Sequence, residues 1–270
     1  MVKNQKLSVG IIGVGRMGFP MGKHLLKQNF PLYLYDPDVE KLVELEKMGA
    51  QIMSSPKELA SQVDVAIVIT GFANQVVDAL TGESGFFEGA RAGTIAVISS
   101  TISPELTRSL AEQGSEKDVN ILDAPVARGE KGAIEANLLW FVGGDSEVLE
   151  RAKPVLSACG PDIHHLGGLG AGQVGKTINN MLLWACLVAD HEGLALAEKY
   201  GVETESLRQA LLISSGKNWA LENWEFMKNI PWAQKDMGIV LEMADSVRLS
   251  MPMAGFIKER VKVHQYEAGF

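Results

Sequence analysis

At 270 residues, with 46% hydrophobic and 21% charged residues, the chain has the make-up of an ordinary globular protein long enough for two domains. A formal net charge of −8 argues against nucleic acid or an anionic membrane surface as partner. Two cysteines, Cys159 and Cys186, cannot build a disulfide framework, so the expectation is a reduced, cytoplasmic protein. The opening residues carry no long apolar run of the kind that reads as an export signal. The longest strongly apolar stretch, 181–189, is too short to cross a bilayer and is flanked by Asn180 and Asp190.

The first element is a short apolar run, Ser8–Ile12, which reads as a strand and leads into Gly13-Val-Gly15-Arg-Met-Gly18. A helix-compatible segment, Met17–Gln28, follows, and then a second apolar run, Leu32–Tyr35, ending on Asp36. Strand, glycine loop, helix, strand and acidic tip are the parts a dinucleotide-binding βαβ unit needs. Gly13 permits the tight turn, Gly15 lets backbone approach a pyrophosphate, and Gly18 lets the helix pack against the strand. The pyrophosphate would rest on free N–H groups at the helix start, where the dipole favours negative charge. Gly13, Val14, Gly15, Arg16, Met17, Gly18 and Asp36 are therefore the expected cofactor residues. A carboxylate at position 36 can accept from both ribose hydroxyls and would repel a 2′-phosphate, so NAD is expected rather than NADP.

Further strands are expected at Val65–Ile69, Ile95–Ile98, Asn120–Leu122 and Leu138–Val142, separated by helical segments such as Val39–Met48, Gln75–Leu80 and Pro104–Glu112. That alternation predicts an α/β fold, a Rossmann-type doubly wound parallel sheet with helices on both faces. After residue 170 the pattern becomes helical, with periodic stretches at 173–199, 204–213, 219–227, 233–247 and 252–266. The change falls in the glycine-rich joint 166–172. The expected organisation is a cofactor domain over 1–165 and a helical domain for substrate and self-association over 166–270, joined by a long helix.

The joint and its helix read GLGAGQVGKTINN, placing Lys176 four residues before Asn180 and hence on one helical face. Gly170–Thr177 also satisfies the phosphate-loop pattern GxxxxGK[ST], which would imply an ATPase or kinase. Its context disfavours that reading, because helices rather than further strands follow it. His164-His165 with Cys159 lacks further ligands at metal spacing, so no metal is expected.

Four ordered motifs carry a resemblance that spans almost the whole chain: VGIIGVGRMGFPMGKHLL, SSTISP (Ser99–Pro104), DAPVARGEKGAIEANLLWFVGG (Asp123–Gly144) and GLGAGQVGKTINN, followed by Lys235-Asp236-Met237. The chain resembles the β-hydroxyacid dehydrogenase family, which includes 3-hydroxyisobutyrate dehydrogenase and tartronate semialdehyde reductase. The resemblance implies NAD-dependent interconversion of a small anionic β-hydroxy acid with its semialdehyde or keto acid, by a homodimer or homotetramer. It makes Lys176 the catalytic acid/base and Asn180 a substrate residue. It places Thr101 and Lys235 near the nicotinamide and gives the substrate acid group to the loop Ala127-Arg128-Gly129. The chemistry is consistent, since removing hydride from a C–OH carbon requires the hydroxyl proton to leave. A lysine can take that proton if burial or a neighbouring cation such as Arg128 or Lys235 lowers its pKa from about 10.4.

Departures from the family pattern matter for specificity. The usual Ser-Gly-Gly loop is here Ala127-Arg128-Gly129, which exchanges a hydroxyl for a planar guanidinium fork suited to carboxylate, sulfonate or phosphate. Asn137 stands where Gly is usual, Thr70-Gly-Phe-Ala73 replaces a Met-Leu-Pro turn, and the chain ends at Phe270 ahead of a usual final helix. A rival within the same architecture is an imine reductase, but that group generally has another residue at the position of Lys176. A protein that binds NAD without catalysis is disfavoured by the presence of both Lys176 and Asn180.

Overall fold

The structure, a computed structural model, describes residues 6–228 and 232–267. The first five residues and the chain end at Phe270, on which two of the sequence expectations bear, lie outside the described residues. The chain divides into two compact units, Met1–Lys176 and Thr177–Phe270.

The strands of the first unit are β1 (Val9–Ile12), β2 (Leu32–Tyr35), β3 (Gln51–Ile52), β4 (Val65–Val68), β5 (Ile95–Ile98), β6 (Asn120–Asp123), β7 (Val126–Ala127), β8 (Leu139–Gly143) and β9 (Asp162–Gly167). Its helices are α1 (Gly18–Lys27), α2 (Val43–Lys47), α3 (Pro56–Gln62), α4 (Ala73–Thr81), α5 (Pro104–Ser115), α6 (Gly129–Ile134) and α7 (Ser146–Ser157). The sheet runs β3-β2-β1-β4-β5-β6-β8-β7, with β9 also paired to β8. Strands β3 to β6 are mutually parallel in the 3-2-1-4-5-6 order of a Rossmann domain.

The period-2 pattern of the strands explains the layering. Val9, Ile11, Val65, Ile67, Ile95 and Val97 enter one buried cluster with Met21 and Leu25 of α1. Their alternate neighbours Ile12, Ala66, Val68, Ala96 and Ile98 enter the other, with Leu59 of α3, Val76 and Leu80 of α4 and Leu110 of α5. Both faces are covered, as a parallel sheet requires. Helix starts follow side-chain chemistry: Ser55 before Pro56, Ser103 before Pro104 and Asp145 before Ser146 each accept from a first-turn N–H.

One sequence expectation changes in detail. The run Leu138–Val142, read as part of the parallel sheet, forms β8, which is antiparallel to both β6 and β7. A parallel return needs a crossover of a dozen or more residues over a sheet face, and the six-residue α6 between β7 and β8 is too short to supply one.

The second unit is helical over its described residues. Helix α8 (Ala171–Lys199) crosses the division at Lys176, and α9 (Thr204–Leu211), α10 (Trp219–Glu222), α11 (Ala233–Ser246) and α12 (Pro252–Glu267) follow. Its core joins Trp184, Leu187 and Val188 of α8 to Met237 and Val240 of α11 and Ile257 and Val261 of α12. Among the described residues no helix is long and apolar enough to cross a membrane.

Candidate active site

Residues singled out in the first unit gather at the carboxyl ends of its parallel strands: Gly13 after β1, Asp36 after β2, Thr70 after β4 and Thr101 after β5, beside Asp123 at the end of β6. The strand order reverses between β1 and β4, which is where open α/β sheets bind ligands.

The glycine loop divides its labour as the sequence predicts. Gly13 has φ +99°, and a Cβ there would collide with the Ile69 carbonyl. A Cβ on Gly18 would strike the Gly13 carbonyl, so close packing of helix on strand requires glycine. At Gly15 a Cβ would meet nothing within 4 Å, and the backbone is approachable from outside. Helix α1 begins with neither a side-chain cap nor an acidic residue in its first turn, unlike α3, α5 and α7. Phe19 N–H is taken by the Gly15 carbonyl and Pro20 has none, so the N–H groups of loop residues 15–18, with the helix dipole, form an anion seat suited to a diphosphate. Asp36 is buried and braces this loop: one carboxylate oxygen accepts from Val14 N–H at 2.8 Å and the other from Asp38 N–H at 2.9 Å. Lys41 lies 3.7 Å from Asp36 and 3.2 Å from Asp38, and its ammonium is held above the usual lysine range by the hydrogen bond to Asp38 and the charge of Asp36. Met17 is the residue preceding α1, and Arg16 donates through Nε to Glu130 of α6 at 2.8 Å. These residues fit a dinucleotide.

The other anion seat is filled from within. Ala171 onward is already helix, so the GxxxxGK[ST] pattern forms no phosphate loop. The N–H groups of Gly170 and Gln173 both donate to the Asp123 carboxylate at 2.8 Å. Asp123 is fully buried, and that burial pushes its carboxyl above the usual range against the pull of those N–H groups. A phosphate would have to displace a carboxylate that already satisfies the helix start, and Thr177 is buried in the helix.

Half-buried Lys176 and buried Asn180 sit one turn apart on α8. Asn180 is oriented on both sides: its Nδ2 donates to Asp236 at 2.8 Å, and its Oδ1 accepts from Asn179 at 3.0 Å. An amide has two donors and two acceptor lone pairs, so one of each remains for a ligand. Lys235, at the start of α11, is half-buried, and desolvation draws its ammonium below the usual lysine range against the charge of Asp236.

The substrate-loop candidates lie between β7 and α6. Arg128 holds a left-handed φ of +78° at the start of α6, followed by Gly129 at +61°. Its guanidinium donates to the Asn137 carbonyl at 3.2 Å and side chain at 2.9 Å, and pairs with Asp162 at 2.6 Å. The two departures from the family pattern, Arg128 and Asn137, are therefore partners. Thr101 is half-buried, with the backbone on either side bonded to Gln173. Sequence reading alone does not single out Asp123, Gln173, Asp236 or Lys41. A carboxylate closing an apolar strand and an amide inside a glycine-rich helix start are the signals that point to the first two.

Family models match most of the chain: residues 8–167 match the NAD binding domain of 6-phosphogluconate dehydrogenase, and 170–269 match the NAD-binding domain of NADP-dependent 3-hydroxyisobutyrate dehydrogenase. The chain belongs to the β-hydroxyacid dehydrogenase family. It is a nicotinamide-dependent oxidoreductase acting on the CH–OH group of a small hydroxy acid. It is 33% identical over 261 residues to NAD-dependent L-serine dehydrogenase of Pseudomonas aeruginosa, covering 91% of this chain and 88% of that one. It is 32% identical over 259 residues to 2-(hydroxymethyl)glutarate dehydrogenase of Eubacterium barkeri, covering 92% and 86%. Among solved structures, 3-hydroxyisobutyrate dehydrogenase of Mycobacterium tuberculosis with L-serine superposes with a TM-score of 0.86 at 28% identity, covering 96% and 94%. An imine reductase of Streptomyces aurantiacus, at 17% identity and a TM-score of 0.69, shares the fold alone. Among the described residues no group of three or more His, Cys, Asp or Glu gathers as a metal site.

Proposed function

We propose that this dehydrogenase interconverts a β-hydroxy acid and its semialdehyde or keto acid with NAD, using Lys176 as general acid/base. When bound, the nicotinamide accepts or returns the hydride. Lys176 takes the hydroxyl proton during oxidation and gives it back to the developing alkoxide during reduction, a role worth roughly 10² to 10⁴ in rate. Asn180 offers its remaining N–H and lone pair to the substrate hydroxyl or acid group without adding charge, with Asp236 and Asn179 fixing its orientation. Thr101 and Lys235 are the residues that the family resemblance assigns to the nicotinamide. The backbone of Arg128 and Gly129, and the part of the guanidinium not engaged by Asn137 and Asp162, take the substrate anion, whether carboxylate or sulfonate.

The preference for NAD rests on charge. Asp36 and Asp38 outnumber Lys41, which leaves a net negative pocket where a 2′-phosphate would have to enter. Residues 1–165 act as the cofactor domain and 166–270 as the substrate and self-association domain of a homodimer or homotetramer. Exposed Ile178, Leu182 and Leu196 on α8, with Met253 and Phe256 on α12, support the last point.

The observation that carries the reading is the pairing of half-buried Lys176 with a buried, oriented Asn180 on a helix whose first turn is bonded into the sheet. A panel of β-hydroxy acids and semialdehydes, sulfonates included, followed by NADH absorbance with native and Lys176→Ala protein, tests it. The variant is expected to lose about 10²- to 10⁴-fold in kcat on the best substrate. Undiminished turnover would remove Lys176 from the mechanism.

A further inference from the structure

One buried side chain joins the helix bearing Lys176 to the loop bearing Thr101. Gln173 is 0% exposed and lies three residues before Lys176 on α8. Its Oε1 accepts from the Ile102 N–H at 3.2 Å, and its Nε2 donates to the Ser100 carbonyl at 2.9 Å. The two bonds grip the backbone immediately before and immediately after Thr101.

The other end of the link is equally fixed. Gln173's own N–H donates to Asp123 at 2.8 Å, and so does that of Gly170. Between them a Cβ on Gly172 would run into the carbonyls of Phe141 and Asp123, so the first turn of α8 lies backbone against backbone on β6 and β8. Ser100 completes the frame by accepting from Thr70 N–H at 2.7 Å, which ties the end of β5 to the end of β4.

A buried position on a helix packed against a sheet is ordinarily filled by an aliphatic residue, because an amide there requires partners for both its ends. Gln meets a demand that few side chains can. It must accept from one N–H and donate to one carbonyl two residues apart; Leu does neither, and ionised Glu accepts but cannot donate. The arrangement sets the distance from the 99–102 loop to the Lys176 backbone through a single group.

We propose that Gln173 is a positioning residue, which registers the Ser100–Ile102 loop against the helix turn that carries Lys176. It touches neither substrate nor cofactor in this role. The inference rests on the assignment of Lys176 as the proton-transfer group. Misplacing a reacting group by about 1 Å can cost on the order of 10²-fold in rate, so the loss belongs in kcat rather than in KM.

The test uses the full-length enzyme in the reduction direction with Gln173→Leu, Gln173→Glu and Lys176→Ala. Gln173→Leu is expected to lower kcat by about ten- to a hundredfold, while KM and the NADH dissociation constant from fluorescence titration change by less than about threefold. Gln173→Glu supplies the decisive readout. Ionised, it cannot donate to Ser100; protonated, its O–H donates while its carbonyl still accepts from Ile102. The ratio of its kcat to that of native enzyme should therefore climb as pH falls through the carboxyl titration, even if Gln173→Leu does not fold. A Gln173→Leu enzyme within about twofold of native kcat, or a Gln173→Glu ratio flat with pH, would overturn the proposal. If Lys176→Ala itself turns over normally, the fault lies in the assignment of Lys176 and not in the link through Gln173.

Discussion

Asp36 braces the glycine loop, and the proposed preference for NAD rests on the same side chain. Its two oxygens already accept from Val14 and Asp38, so it holds the glycine loop in shape before any ribose arrives. Under the proposed function, removing it costs twice, once in loop order and once in hydroxyl contacts. Asp36→Ala should weaken NAD binding by about ten- to a hundredfold, the equivalent of about 1–3 kcal/mol for buried acceptors lost. It should also raise NADP use relative to NAD, because Lys41 would be released from one of its two carboxylate partners. Paired titrations with both dinucleotides check this, and an unchanged ratio would show that Asp36 is not the discriminating charge. At this scale much was legible from sequence. The glycine spacing and the acidic tip point to a dinucleotide loop directly, whereas helical spacing puts Lys176 and Asn180 on one face and only the family resemblance gives them roles. What sequence could not supply was partnership: Arg128 finds Asn137 and Asp162, and Asn180 finds Asp236, across separations that no local pattern encodes.

Among elements, the start of α8 carries the most. Its orphan N–H groups are met by a strand carboxylate rather than by a Ser or Asp at the helix boundary. Asp123→Asn would set an amide NH₂ against an N–H and leave a buried donor unsatisfied. We expect a loss of about 1–3 kcal/mol, read as a lower denaturant midpoint with an unchanged slope. A midpoint equal to that of the native chain would mean that α8 is anchored by other contacts. The six strands expected from apolar runs all form, since burial on both faces writes itself as continuous hydrophobicity. The strands that escaped notice are β3 and β7, two residues each, and β9, whose Asp-Ile-His-His-Leu-Gly is largely polar because it is exposed. Such strands are defined by their neighbours, not by their own composition.

For the whole molecule, two properties follow from what is hidden and what is not. Cys159 is buried among the core residues of the first unit, and burial pushes its thiol up to about 12. Below pH 9 both folded and unfolded chains keep that proton. Between about 9 and 12 the unfolded chain loses it first, so stability declines as pH rises, by at most about 1.4 kcal/mol per pH unit. Alkaline unfolding curves of Cys159→Ala should be correspondingly flatter, and equal slopes would contradict the burial argument. On the outside, Leu182 and Met253 expose 55% and 67% of their surfaces. Under the proposed self-association, Leu182→Asp should shift the sedimentation profile toward the monomer without loss of helicity, and a native-like profile would count against Leu182 as part of a contact between copies.

The left-handed Arg128 has a practical sequel for enzyme engineering. A chimera that receives only a foreign three-residue loop would leave Asn137 and Asp162 facing a guanidinium no longer there, while one that donates the loop elsewhere would send out a strained residue without its moorings. Positions 128, 137 and 162 therefore form one exchangeable cassette, and any library that alters this loop should vary them jointly.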